Sequence, residues 1–313
     1  SLTSPSVSST PFARYAPLLS TVLLFPSPCS SPFHPICPHL PQEIDSCPSA
    51  LWEFCSVLVD YTSQDPFQVP LSSFITFCPS SATLQQLRSW GFFHDLRIWG
   101  RGVDTGLFSP EHRREDLRDS LAPNGERIIL YVGRLAPEKR LDLLLDAFPR
   151  IRELLDGQVV LGLVGDGPWM KRVRESTVEG VHLLGYRTGL PLAETYASGD
   201  LFAFPSDTET FGNVVTEALA SGLPVVAPRK GGVIDSVIPE RTGVLVPPGD
   251  PRAFADAVVS LLSDEGRRAG LAEGARNHAL ARTWPMILDG LLAHYEEVVS
   301  GYPGRLKAAS LVA

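Results

Sequence analysis

The chain has 313 residues, 44% of them hydrophobic and 20% charged, with a formal net charge of −8. That composition fits a globular chain long enough for two domains of ordinary size. The acidic balance excludes a general nucleic-acid-binding surface but is compatible with a local basic site for an anionic ligand.

Residues 1–90 contain no glycine and no lysine, yet hold 13 of the 28 prolines and 18 serines. Proline removes backbone donors and restricts its neighbours, so residues 1–50 read as irregular or disordered. The longest apolar run, "APLLSTVLLF" (16–25), contains Pro17 and falls short of the roughly 18–20 residues of a membrane span. As a signal peptide it has only Arg14 before it, and we set that reading aside. "LWEFCSVLVD" (51–60) is one short apolar element. The five cysteines, Cys29, Cys37, Cys47, Cys55 and Cys78, match no zinc-ligand spacing and read as free thiols in a reducing compartment. His34 and His39 lie in the Pro-Ser segment and are not promoted to catalytic bases.

Order begins near residue 74. "SFITFCPS" (73–80) is a strand, "SATLQQLRSWGF" (81–92) a helix stopped by Gly91, and "DLRIWGRGVD" (95–104) a strand ending in a glycine turn. A loop and a short helix follow over 106–121. Then strands and helices alternate strictly: strands over 126–135, 158–167, 181–186, 200–206 and 223–228, with helices over 139–155, 168–176, 191–199 and 210–222 between them. Pro149 makes the last turn of the 139–155 helix suspect. "GGVIDSVI" (231–238) leads to "GVLVPPG" (243–249), and Asp250 and Pro251 open a further helix as N-cap and first helical residue. Continuous apolar strands alternating with helices predict a doubly wound α/β domain, a parallel sheet covered on both faces. Ligands of such folds sit at the C-terminal ends of the strands.

Three strand ends carry chemistry. After 126–133, Gly133 permits a sharp turn, and Arg134 and Lys139 project as phosphate-binding or merely solvated cations. After 158–164 comes "GDGP", where Gly165 and Gly167 flank Asp166 and would let a ligand approach the backbone; no dinucleotide fingerprint or phosphate-loop motif is present. After 200–205 comes "PSDTETFGN". With a helix starting near Thr210, the N–H groups of Gly212, Asn213 and Val214 fall in its first turn, a natural anion site. Glu209 precedes that turn and Glu217 lies about two turns into the helix, on the side of residues 213 and 214. Singly, each glutamate is as well explained by solvation or by the helix dipole. Together with the upstream cations, the pair fits a ligand with a hydroxylated head, a diphosphate middle and a ribose tail. No Asp-x-Asp triad points to a bound metal.

"YVGRLAPEKRLDLLLDAF", "LVGDGP", "LLGYRTGLPLAETYASGDLFAFPSDTETFGNVVTEALASGLPVVAPRKGGVIDSV" and "TGVLVPPGD" resemble glycosyltransferase family 4, retaining nucleotide-sugar-dependent enzymes of the GT-B fold. "IWGRGVDTGLFSP" (98–110) further resembles its sulfoquinovosyltransferase and GDP-mannose-dependent alpha-mannosyltransferase subgroup. The resemblance covers about residues 74–300. It implies that Arg134 and Lys139 bind the donor diphosphate and that Glu209 contacts the transferred sugar. It implies that Phe211, Gly212, Asn213 and Val214 form the sugar–phosphate loop, and that Glu217 holds the ribose. Gly133, Gly165, Asp166 and Gly167 would lie on the donor side, with Gly185, Tyr186 and Arg187 near the nucleobase. The implied donor is UDP- or GDP-linked, with no further cofactor. The implied acceptor is a lipid or glycan, and the implied location is the cytoplasm or the cytosolic face of a membrane, with peripheral membrane contact.

The expected organisation is therefore a Pro/Ser-rich region over 1–73, the end of an acceptor domain over 74–110, and a donor domain over 111–282. A helix over 283–300 crosses back to the first domain, and a tail follows over 301–313. Enzymes of this type carry a glycine-rich loop near the start of the acceptor domain, whereas residues 1–90 have no glycine. Residues 1–70 are accordingly expected not to form a competent acceptor domain. The alternatives are a nucleotide-sugar-binding remnant without turnover and, disfavoured by the two-glutamate spacing, a sugar-nucleotide epimerase.

Overall fold

The computed structural model describes residues 75–90, 95–175 and 178–301. The expectations for residues 1–74, the Pro/Ser-rich segment and the missing acceptor sheet among them, lie outside the described residues, as does the tail.

Six parallel strands form the main sheet: β3 (Arg127–Val132), β4 (Val159–Val164), β5 (Val181–Gly185), β6 (Leu201–Ala203), β7 (Val225–Pro228) and β8 (Gly243–Val246), in the order β5-β4-β3-β6-β7-β8. Every residue of β4 and all but the first of β3 are buried. A strand enclosed on both faces needs no polar alternation, which is why these segments read as continuous apolar runs. Alternate residues of β3 serve opposite cores. Ile129 and Tyr131 pack with α3 (Leu141–Leu154) and α7 (Pro251–Ser263), whereas Ile128, Leu130 and Val132 pack with α5 (Gly189–Ala197), α6 (Asn213–Ala220) and α8 (Glu265–Leu280). The Asp250 carboxylate caps α7 by accepting from the Arg252 and Ala253 N–H groups at 2.9 and 3.0 Å.

In sequence terms the strand order is the dinucleotide-fold order, with its reversal between β3 and β6. From β3 the chain crosses to β4 on one side. From β6 it crosses to β7 on the other. The loops after these two neighbours diverge and leave a crevice at their C-terminal ends.

Two expectations change. The helix carrying Pro149 does not stop there: α3 runs to Leu154, because Phe148 and Ile151 on either side of the proline are fully buried. Burial of two large apolar side chains, about 2 kcal/mol each, offsets the roughly 3 kcal/mol of an interior proline. Helix α8 was not anticipated. It lacks an apolar stripe, and its buried residues are Leu271, Ala275, Ala279 and the stem of Arg268. Its Arg276 guanidinium bonds the carbonyl of Ala220, the last residue of α6, at 2.6 Å, and those of Phe108 and Thr105 at 2.8 and 3.1 Å.

A separate parallel pair, β1 (Thr76–Cys78) and β2 (Leu96–Ile98), flanks α1 (Ser81–Ser89). Helix α9 (Trp284–Gly301) packs on it through Leu291 and Tyr295, against Ile75, Phe77 and Trp99. Arg97 of β2 reaches Glu297 of α9 at 2.7 Å. A 3-10 turn over Pro110–His112 and the short helix α2 (Glu115–Leu121) lead from this pair to β3. No helix among the described residues is long and apolar enough to cross a membrane.

Candidate active site

A cleft of ≈ 780 Å³ opens at the reversal point. Of the residues singled out from sequence, Gly133, Arg134, Gly165, Asp166, Gly167, Tyr186, Arg187, Val214 and Glu217 line it, together with Thr188 and Leu192. Lys139, Glu209, Phe211 and Gly212 do not line that cleft but belong to the turns and loops around it, and Gly185 and Asn213, also outside its lining, end β5 and start α6.

The glycines after β4 have a further reason beside the expected one. A Cβ on Gly165 would lie 1.9 Å from the Gly133 carbonyl oxygen, and one on Gly167 would lie 2.5 Å from that of Leu135. The two loops press backbone to backbone and are zipped by Leu135 N–H to Asp166 O at 2.9 Å and Trp169 N–H to Leu135 O at 2.8 Å. Glycine is needed here for loop contact, whatever approaches from the cleft.

Helix α6 starts three residues later than the sequence suggested. Gly212 is its N-cap in a left-handed conformation (φ 84°), and Asn213 is the first helical residue. Phe211 is buried, so its side chain anchors the loop rather than facing a ligand. The delay follows from Gly212: a positive φ ends the preceding loop and cannot lie inside a helix. The N–H groups of Asn213 and Val214 still open the helix, at the positive end of its dipole.

Lys139, in the 3-10 turn Pro137–Lys139, pairs with Glu209 across the reversal point. Arg134 is more exposed and lies 3.4 Å from Glu138. The hydroxyl of buried Tyr131 donates to the Arg134 carbonyl at 2.8 Å and fixes that loop. Burial, with the Glu209 and Glu138 carboxylates nearby, pushes the Tyr131 phenol well up, so it remains a donor. Glu217 sits at the back of the cleft, where burial pushes its carboxyl up to about 7 against the opposing hydrogen bond from Tyr196. That hydroxyl donates to Glu217 at 3.0 Å from a fully buried ring. Tyr186 is 75% exposed, a flat apolar face at the rim. Arg187 turns inward and donates to the Thr195 hydroxyl at 2.7 Å.

Sequence reasoning missed the loop that holds Glu209. The Gly232 N–H donates to the Glu209 carbonyl at 2.8 Å, and a Cβ at Gly232 would stand 2.0 Å from the Thr210 carbonyl oxygen. Lys230 reaches Asp207 at 3.3 Å. From the far side, Asp235 accepts from the Ser81 N–H at 2.6 Å, joining α1 to this same loop. The signal was present in "RKGGV", a cation followed by paired glycines at a strand end. Tyr196 was also missed, because its partner lies on another helix.

The model for glycosyl transferases group 1 matches residues 126–264, from β3 to the end of α7. This is a glycosyl transferase group 1 domain. A GDP-mannose-dependent alpha-mannosyltransferase of Mycobacterium tuberculosis is 43% identical over 71% of this chain and 56% of its own length. A sulfoquinovosyl transferase of Arabidopsis thaliana is 37% identical over 67% of this chain and 42% of its own. The chain thus spans roughly half the length of these curated relatives. Among solved structures, a sucrose-phosphate synthase from Thermosynechococcus elongatus superposes with a TM-score of 0.64 at 29% identity. It covers 74% of this chain, and this chain covers 61% of it. The structural neighbours of this glycosyl transferase group 1 domain are GT-B glycosyltransferases. Its matched span contains all the residues of the cleft.

Proposed function

We propose that the cleft binds a nucleoside-diphosphate sugar and that the protein transfers its hexose, with retention, to an acceptor. The observation carrying this reading is the convergence of Arg134, the first turn of α6 and the half-buried Glu217 on one crevice at the β3/β6 reversal. In the proposed pose the diphosphate lies between Arg134 and the α6 N-terminus, with Lys139 beside it. Glu217 accepts from the ribose hydroxyls, the base lies toward Tyr186, and the sugar lies toward Glu209. Breaking the anomeric C–O bond leaves negative charge on the diphosphate, and the nearby cations with the helix N-terminus stabilise it. The relatives' names favour a mannose-like or sulfoquinovose-like sugar. We propose a lipid or glycan as the acceptor.

Titration of the full chain with GDP-mannose and UDP-glucose, followed by assay of nucleoside diphosphate release, tests this. Binding with release supports transfer. Failure to bind any nucleotide or nucleotide sugar overturns the reading. A second reading, donor binding without turnover, draws on the glycine-free composition of residues 1–90, where an acceptor domain would need a glycine-rich loop. Tight binding with no release would favour it.

A further inference from the structure

The cations of this site are not waiting for phosphate. Lys139 is paired with Glu209, the carboxylate assigned above to the sugar. Both side chains are partly buried, 27% and 17% exposed. Their backbones are fixed toward each other: Thr208 donates to the Glu138 carbonyl at 3.2 Å, and Gly232 holds the Glu209 carbonyl at 2.8 Å. Neighbouring charges are otherwise engaged. Glu138 faces Arg134 at 3.4 Å, and Asp207 faces Lys230 at 3.3 Å and Arg140 at 3.9 Å. Neither member of the Lys139–Glu209 pair has a second ion-pair partner among the described residues.

Resting on the donor-binding reading, we infer that Glu209 is a specificity determinant that makes the cleft favour a sugar-bearing nucleotide over a bare nucleoside diphosphate. A bare diphosphate must take Lys139 from Glu209. It leaves that carboxylate partly buried, without its cation, and next to new negative charge. A sugar brings hydroxyl donors to the same place. The carboxylate then exchanges its ammonium partner for hydroxyl hydrogens, and Lys139 turns to the phosphate. The sugar is read by the partner it supplies to Glu209, and Lys139 is released only when that partner arrives.

The test is calorimetric titration of the full chain with GDP and GDP-mannose, or UDP and UDP-glucose, using the pair that the wild type binds. Glu209→Gln keeps the shape and removes the charge. It should bind the bare diphosphate on the order of tenfold tighter, the scale of one charge-assisted hydrogen bond, and the nucleotide sugar no tighter or more weakly. Adding Lys139→Ala should abolish the gain, since the gain runs through Lys139. An unchanged or weakened diphosphate affinity in Glu209→Gln overturns the inference. So does an equal gain for both ligands, or a gain that survives Lys139→Ala. All three leave donor binding standing. If the wild type binds neither ligand, the donor-binding reading fails and the inference with it.

Discussion

Glu209 and Glu217 flank the N-terminus of one helix, and the fold deals with their charges by different means. Glu209 faces an ammonium group, Lys139, on a loop from the neighbouring strand. Glu217 has a phenol for a partner and an apolar surrounding that pushes its carboxyl up to about 7. The first carboxylate is coupled to where a cation goes. The second is coupled to the proton concentration. One residue type, at two positions of one loop–helix unit, thus gives a site two separate responses: charge exchange at one end and proton exchange at the other.

The largest expected effect isolates the Glu217 end. Its folded-state value is raised from 4.5 to about 7, so the fold favours the protonated form. The stability this contributes is complete below about pH 4.5 and is lost as pH rises through about 7. The loss amounts to about 3 kcal/mol. Glu217→Gln should not show it. Urea unfolding at pH 4 and pH 8 should find that the wild type loses about 3 kcal/mol more than the variant. Parallel profiles would break the comparison at its Glu217 end. Donor affinity should rise over the same interval, because ribose hydroxyls donate best to the ionised carboxylate.

At the other end, Lys139→Ala removes the cation from both its resting and its proposed working partner. Turnover should fall on the order of 10–100-fold, from loss of one charge-assisted contact to the leaving group. A stopped assay of nucleoside diphosphate release would check it. Tyr196→Phe is a smaller probe of Glu217. Loss of the hydroxyl should cost about 1–2 kcal/mol and raise the carboxyl further, since that hydrogen bond opposes the upward shift. Carbon-detected titration of the Glu217 carboxyl would see it, and a downward move would refute the assigned role. Asp250→Ala should cost about 1 kcal/mol of stability as a lost N-cap and change neither donor affinity nor the pH profile. A change in either would show that α7 is coupled to the cleft.

The sheet was legible because β3 and β4 are enclosed on both faces and so carry unbroken apolar text. The strand-end rule points from sequence to Arg134, Asp166, Val214 and Glu217, all four of which line the cleft. Helix α8 was not legible, since small residues and an arginine stem supply its buried face instead of an apolar stripe. The grip of Gly232 on the Glu209 loop was hidden for another reason. It is a contact between backbones far apart in sequence, and the glycine that permits it looks like any turn glycine. Gly165 and Gly167, read as making room for a ligand, do line the cleft and in addition make room for a neighbouring loop.

The three carbonyls on the Arg276 guanidinium constrain how this cleft can move. One belongs to the tail of α6 and two to the linker that leads in from β2. An eight-residue helix is about 12 Å long, so this clasp lies one short rod away from the turn that faces the ligand. α6 cannot slide along its axis without pulling free of the clasp, and it cannot tilt without dragging the linker. It is an anvil, and what strikes it is a side chain: Lys139, on a turn whose backbone is itself held to the loop of Glu209.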